Sequence, residues 1–157
     1  MGKLDNKTAI ITGGSSGIGK ALIELFLNEG GHVVNLSRSE PTGIQSENFL
    51  HISCDLIEED AVQLASKTAL EFLGKIDVLV NNAGMGHYGN LVDMPSDQWR
   101  HMFDLNVHGL FYITQACIPS MIEQESGHIS NISSIAGLNG VKAVSYTHLT
   151  LPTILLV

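Results

Sequence analysis

The sequence predicts an α/β fold: an open, doubly wound parallel sheet of about five strands in the order 3-2-1-4-5, incomplete as a sheet. Three observations predict it. A glycine-rich turn, Thr12-Gly13-Gly14-Ser15-Ser16-Gly17-Ile18-Gly19, lies where an apolar strand ends and a helix begins. Short β-prone runs alternate with helical periodicity along the chain, which is the pattern of parallel βαβ units. Gly13, Asp55, Asn81 and Ser134 then fall at or just after the carboxyl ends of strands, where such sheets bind ligands.

The first strand is expected at 8–12, where Thr8-Ala9-Ile10-Ile11 is β-prone and uncharged. The helix after it, at 17–29, places Ile18, Ala21, Leu22, Leu25 and Phe26 at i, i+3, i+4, i+7 and i+8. Strands follow at 32–37 and 49–54, separated by a loop from Pro41-Thr42-Gly43 to Glu47. A helix at 58–73 leads to a strand at 76–81, which contains the run Ile76-Asp77-Val78-Leu79-Val80. A long helix at 97–124, broken around Asp104, precedes the fifth strand at 128–133. No internal repeat or domain linker is visible.

Composition narrows the function classes. The 157 residues suffice for one domain with a real core, and 44% hydrophobic with 15% charged residues describes a globular chain. A net charge of −8 argues against nucleic acid or an anionic membrane as partner. It does not oppose an anionic cofactor held locally by backbone amides and a basic side chain. Cys54 and Cys117 read as two buried thiols in a reducing, cytoplasmic setting rather than as a disulfide. The seven histidines show no H-x-x-x-H spacing and there is no C-x-x-C, so no metal site is expected. The start of the chain has no apolar signal region, and no segment has the length and apolarity of a membrane span.

The glycine turn carries the first chemistry. Glycine lets the backbone turn tightly and lets a pyrophosphate approach, while free N–H groups at the helix start supply positive potential. A second motif, Asn81-Asn82-Ala83-Gly84, ends the fourth strand. At this point the chain resembles the short-chain dehydrogenase/reductase family of NAD(P)-dependent oxidoreductases. The family's T-G-x-x-x-G-x-G turn falls on Thr12, Gly13, Gly17 and Gly19, and its N-N-A-G is matched in full. Asn106-Val107-His108-Gly109 and Asn131-Ile132-Ser133-Ser134 are a third and a fourth match in the same order. The resemblance runs from about Lys3 to Ala143, so 1–143 reads as the NAD(P)-binding Rossmann-like domain.

The resemblance implies hydride transfer between a nicotinamide and a small carbonyl or alcohol substrate. It places Gly13, Ser15, Ser16, Gly17, Ile18 and Gly19 around the pyrophosphate. Asp55 and Leu56 would meet the adenine, and Asn82, Ala83 and Gly84 would line the adenosine ribose side. Ser134 would orient the substrate carbonyl, and Asn106 would support a water-linked proton path. Full-length relatives are expected to be homo-oligomers. The second strand ends Asn35-Leu36-Ser37-Arg38 without a carboxylate at its tip. Serine followed by arginine suits a 2′-phosphate, so NADP(H) is favoured over NAD(H). A solvated loop arginine is the alternative, and Ser16 stands where many NADP-dependent relatives carry a basic residue.

The family's catalytic Tyr-x-x-x-Lys is missing. The usual tyrosine position, thirteen residues after Ser134, holds Thr147; Tyr146 is followed four residues later by Thr150, and Lys142 is the last lysine. Val144 to Thr153, reading VSYTHLTLPT, resembles one reading frame of the transposon-end adapter of tagmentation libraries. The expectation is that 144–157 is a non-native or aberrant tail; a diverged member with a natural tail is the alternative. Three readings follow: an oxidoreductase seen incompletely, a nucleotide-binding module without catalysis, or an unstable, inactive truncation.

Overall fold

Every residue of Thr8–Thr12 is buried in strand β1, at the centre of the sheet. The structure, a computed structural model, describes residues 2–135. Lys142, Tyr146, Thr147 and the 144–157 tail lie outside the described residues. The elements that follow β1 are α1 (Gly17–Asn28), β2 (His32–Ser37), β3 (Phe49–Ser53), α2 (Glu59–Leu73) and β4 (Val78–Asn81). After a single 3-10 turn at Leu91–Asp93 come α3 (Ser96–Phe103), a π-helical turn at Asp104–Gly109, α4 (Leu110–Glu123) and β5 (His128–Asn131).

The sheet order is β3-β2-β1-β4-β5 with every pairing parallel. In register, Ile10 sits between Val34 and Leu79. Successive strand residues point to opposite faces, so these three belong to one core. That core packs them with Val62, Ala65, Ala69 and Leu73 of α2 and with Ile113, Cys117 and Met121 of α4. Ala9, Ile11, Val33 and Val80 face the other way and pack against Ile23 of α1. Helices on both faces bury β1, β2 and β4 twice over, which explains their continuous apolar runs. The carboxyl ends of the strands and the loops after them lie together at one rim.

The element boundaries differ from the sequence reading where side chains intervene. β4 starts at Val78 rather than at 76 because Asp77 is tied to the start of β1. Its N–H donates to Thr8 Oγ1 at 3.0 Å, and its carboxylate accepts from the Thr8 N–H at 3.0 Å and the Thr8 hydroxyl at 3.2 Å. α2 ends at Gly74, which adopts φ 73° and donates its N–H to the Leu70 carbonyl. β5 stops at Asn131, with one further ladder bond from Ile132 N–H to Asn81 O at 2.9 Å. The expected break at Asp104 takes the form of a wide helical turn, which connects α3 and α4 without a gap.

Asn81 braces three elements. Its amide nitrogen donates to Thr114 Oγ1 of α4 at 3.1 Å and to Asn131 Oδ1 of β5 at 2.9 Å.

Candidate functional site

The turn between β1 and α1 has a shape that two of its glycines make possible. Gly13 lies at φ +66°, and a Cβ there would sit 2.7 Å from the Ala83 Cα. Gly17, the first residue of α1, lies at φ +56°, and a Cβ there would meet nothing within 4 Å. The first position is glycine for close backbone approach, the second for backbone conformation beside open space. The turn is fastened to the end of β4. Asn82 Nδ2 donates to the Thr12 and Gly13 carbonyls at 3.0 and 3.1 Å, and the Ala83 N–H donates to Thr12 Oγ1 at 3.0 Å. It is fastened to β2 as well, by Gly13 N–H to Leu36 O and Gly14 N–H to Asn35 Oδ1, each 2.9 Å.

These loops enclose a cleft of about 340 Å³ at the carboxyl rim of the sheet. The glycine turn contributes Gly13, Ser15 and Ser16; the end of β2 contributes Ser37 and Arg38. The end of β3 contributes Asp55 and Leu56, and the end of β4 contributes Asn82, Ala83 and Gly84. Gly17, Ile18 and Gly19 form the first turn of α1 and do not line the cleft, and Ile18 is exposed. That first turn contains no acidic residue, so the free N–H groups of α1 keep their positive potential.

Six cleft residues went unanticipated: Leu36, Ser39, Cys54, Ile57, His101 and Leu105. Cys54 lines the floor, and burial together with the neighbouring Asp55 charge pushes its thiol up to about 11. His101 and Leu105 reach the cleft from α3 and the wide turn. The available signal was the four-residue spacing of His101, Leu105 and Gly109, which share one helix face. Gly109 presses on the loop after β3 so closely that a Cβ would lie 3.0 Å from the Leu56 carbonyl oxygen.

Asn106 and Ser134 do not line this cleft. Asn106, within the wide turn, gives both side-chain atoms to Met85: Nδ2 donates to its carbonyl at 2.8 Å, and Oδ1 accepts its N–H at 2.9 Å. Asn106 thus holds the segment after Asn81-Asn82-Ala83-Gly84 against the helix. Ser134 lies exposed beyond β5. Among the described residues no group of three His, Cys, Asp or Glu could hold a metal ion, and no helix is long and apolar enough to cross a membrane.

The residues present suit an anionic dinucleotide. The turn admits a phosphate beside Gly17, the helix start offers N–H donors, and Arg38 stands exposed at the end of β2.

Known proteins resemble this chain in sequence and in fold. Residues 7–147 match the short chain dehydrogenase family. An uncharacterized oxidoreductase of Staphylococcus aureus (strain USA300) is 33% identical over 149 residues, covering 91% of this chain and 64% of that protein. Oxidoreductase UcpA of Salmonella typhimurium is 35% identical over 144 residues, covering 87% of this chain and 55% of its own length. The chain therefore spans less than two thirds of these relatives.

Among solved structures, the ligand-free aldohexose dehydrogenase of Thermoplasma acidophilum superimposes with a TM-score of 0.84 at 34% identity, covering 97% of this chain and 58% of that one. A short chain dehydrogenase/reductase from Burkholderia phymatum in complex with NAD gives 0.85 at 28% identity, covering 99% and 58%. An NAD⁺-bound xylitol dehydrogenase gives 0.83 at 27% identity, covering 97% and 62%. A five-stranded parallel sheet of order 3-2-1-4-5, the glycine turn clamped to β4 and the match over 7–147 lead to one assignment: the chain belongs to the short chain dehydrogenase family.

Proposed function

We propose that the chain is the cofactor-binding part of an NAD(P)-dependent oxidoreductase that moves hydride between a nicotinamide and a small carbonyl or alcohol substrate. The observation that carries this reading is the cleft itself, where the glycine turn, Asp55 and Asn82 to Gly84 converge at the carboxyl rim of the sheet. The nicotinamide, when bound, supplies the hydride donor or acceptor. The turn from Gly13 to Gly19 holds the pyrophosphate at the start of α1, with Asp55 and Leu56 at the adenine and Asn82, Ala83 and Gly84 beside the adenosine ribose. Ser134 orients the substrate oxygen, and Asn106, which also holds the Met85 segment, supports a water-linked proton path.

NADP(H) is favoured over NAD(H), on the exposed guanidinium of Arg38 and the lack of a carboxylate at the end of β2. Two similar structures are bound to NAD, so the choice needs a direct comparison of the two cofactors. The whole-length protein is read as a cytoplasmic homo-oligomer.

A second reading has its own observation. No Tyr-x-x-x-Lys follows Ser134, so this 157-residue chain binds the cofactor without turning it over. Loss of a general acid alone typically costs ~10²–10⁴-fold in rate.

Fluorescence titration of the 157-residue chain with NADPH and NADH tests both readings. The expected result is saturable binding with NADPH tighter by about tenfold, and near parity in Arg38→Ala. Tighter NADH would remove the NADP preference, and no binding of either would sink the nucleotide reading. Rapid carbonyl reduction by the same sample would overturn the non-catalytic one.

A further inference from the structure

Asn35 is a fully buried amide in the middle of β2, a strand covered on both faces. Its neighbours fix which way it points. Its oxygen accepts the Gly14 N–H at 2.9 Å, and a backbone N–H can only donate, so the amide nitrogen must face the other way. Nδ2 therefore donates both of its hydrogens, one to Ser37 Oγ at 2.9 Å and one to His51 Nδ1 at 3.0 Å. His51 Nδ1 is then an acceptor, and the ring hydrogen sits on Nε2. Ser37 in turn sends its own proton to the Ser39 carbonyl at 2.8 Å. With that proton committed and one hydrogen received, the Ser37 hydroxyl has a lone pair left for the cleft and no hydrogen to give.

We propose that Asn35 is a positioning residue of the cofactor cleft, which holds Gly14 in the phosphate turn and sets Ser37 as a pure acceptor. This rests on the nucleotide reading above and refines it. An acceptor at Ser37 takes a hydrogen from a free ribose hydroxyl and gives none to a phosphate oxygen. Ser37 thus recognises an unmodified ribose, and any selection for a 2′-phosphate falls to Arg38 alone. The pairing of Ser37 with Arg38 as joint phosphate ligands, expected from the sequence, is divided between two different tasks.

The test compares ADP with 2′,5′-ADP as probes on the full 157-residue chain. Ser37→Ala should weaken ADP by about fivefold and change 2′,5′-ADP by less than about twofold, the size of one neutral hydrogen bond. Asn35→Leu, similarly branched but larger and apolar, leaves the Gly14 N–H unpaired and should lower the unfolding midpoint. At a temperature where it stays folded, it should weaken both probes by about tenfold through the Gly14 end. In the Asn35→Leu background, Ser37→Ala should lose most of its effect on ADP, which a merely structural role would not produce. A folded Asn35→Leu that binds like the parent, strictly additive effects, or a Ser37→Ala that harms 2′,5′-ADP more than ADP would each overturn the proposal.

Nitrogen NMR of the unsubstituted chain gives a readout that no variant has to survive. Neutral His51 should carry its hydrogen on Nε2, and a protonated Nδ1 in the neutral ring would sink the relay. If the unsubstituted chain binds neither ADP nor NADPH, the nucleotide reading fails, and the His51 tautomer still reports separately on the relay.

Discussion

The Thr12 hydroxyl receives the Ala83 N–H at 3.0 Å across 71 positions of sequence, locking the end of β1 to the end of β4. The same oxygen accepts the Asn82 N–H at 3.0 Å and donates to the Val80 carbonyl at 3.3 Å. Thr12 is 1% exposed, so no water replaces it. Thr12→Val keeps the shape and orphans two amide hydrogens. Urea unfolding should show a loss of about 2–4 kcal/mol, and Thr12→Ser should recover most of it.

Gly13 and Gly17 both have positive φ, yet their substitutions should part company. Gly13→Ala drives a methyl into the Ala83 backbone and should cost more than about 2 kcal/mol, because backbone must move. Gly17→Ala meets open space and should cost only the left-handed penalty of about 1–2 kcal/mol. On the proposed nucleotide reading the phosphate docks in the open space beside Gly17, so the methyl should lower nucleotide affinity further than it lowers stability. Paired melting and binding curves separate the two effects. Equal affinity loss per unit of stability lost in both variants would count against a phosphate at Gly17.

Asp77 links stability to acid. Burial alone would raise its carboxyl. The Lys75 ammonium at 3.0 Å and the Thr8 N–H and hydroxyl outweigh that and hold it below the ordinary 3.8. A carboxyl lowered in the folded state adds stability above its unfolded value and loses it as pH falls through the folded one. The stability advantage over Asp77→Asn should therefore be flat above about pH 5 and shrink below about pH 4. Denaturation midpoints measured down the acid range check it; a gap that widens in acid would refute the assignment.

The two thiols should be poor nucleophiles for different lengths of time. Burial raises Cys117 to about 12, and burial with Asp55 raises Cys54 to about 11. Both stay protonated at pH 8, so a disulfide reagent should react slowly with the native chain and fast in denaturant. Cys54 lines the cleft, so bound nucleotide should slow it further and leave Cys117 unchanged. Mass spectrometry of each labelled cysteine with and without nucleotide reads this directly.

Much of the fold was legible because its signals are local. The glycine turn, the apolar strands and the α1 periodicity each fit within a dozen residues, and the parallel order follows from handed crossovers. Ser15, Ser16, Asp55 and Asn82 to Gly84 reach the cleft because strand ends converge there whatever the side chains do. His101 and Leu105 were legible only as a four-residue spacing with Gly109, since their approach depends on the phase of a helix that runs through a nonstandard turn. The start of β4 was misjudged because Asp77 binds a partner 69 positions away. The state of the Ser37 hydroxyl depends on a buried asparagine two residues earlier on the same face of the strand, and motif spacing carries no proton positions. Asn35 itself was a readable anomaly: an amide inside an otherwise apolar strand.

The wide turn at Asp104–Gly109 also acts as a phase adjuster. An α-helix advances about 100° per residue, so a stripe stepping by four drifts about 40° each time. Leu105, Gly109, Ile113, Cys117 and Met121 step by four, and all face inward. A turn closed by i→i+5 bonds takes up part of that drift where the cleft wall gives way to the core. Deleting exposed Val107 removes one residue and lets the turn relax to ordinary α geometry; the rotation lost with the residue and the winding regained offset each other, so α3 keeps its phase relative to α4. His101 would keep facing the cleft and Cys117 the core, so the extra residue of the wide turn is carried locally and is not passed on to the helix before it.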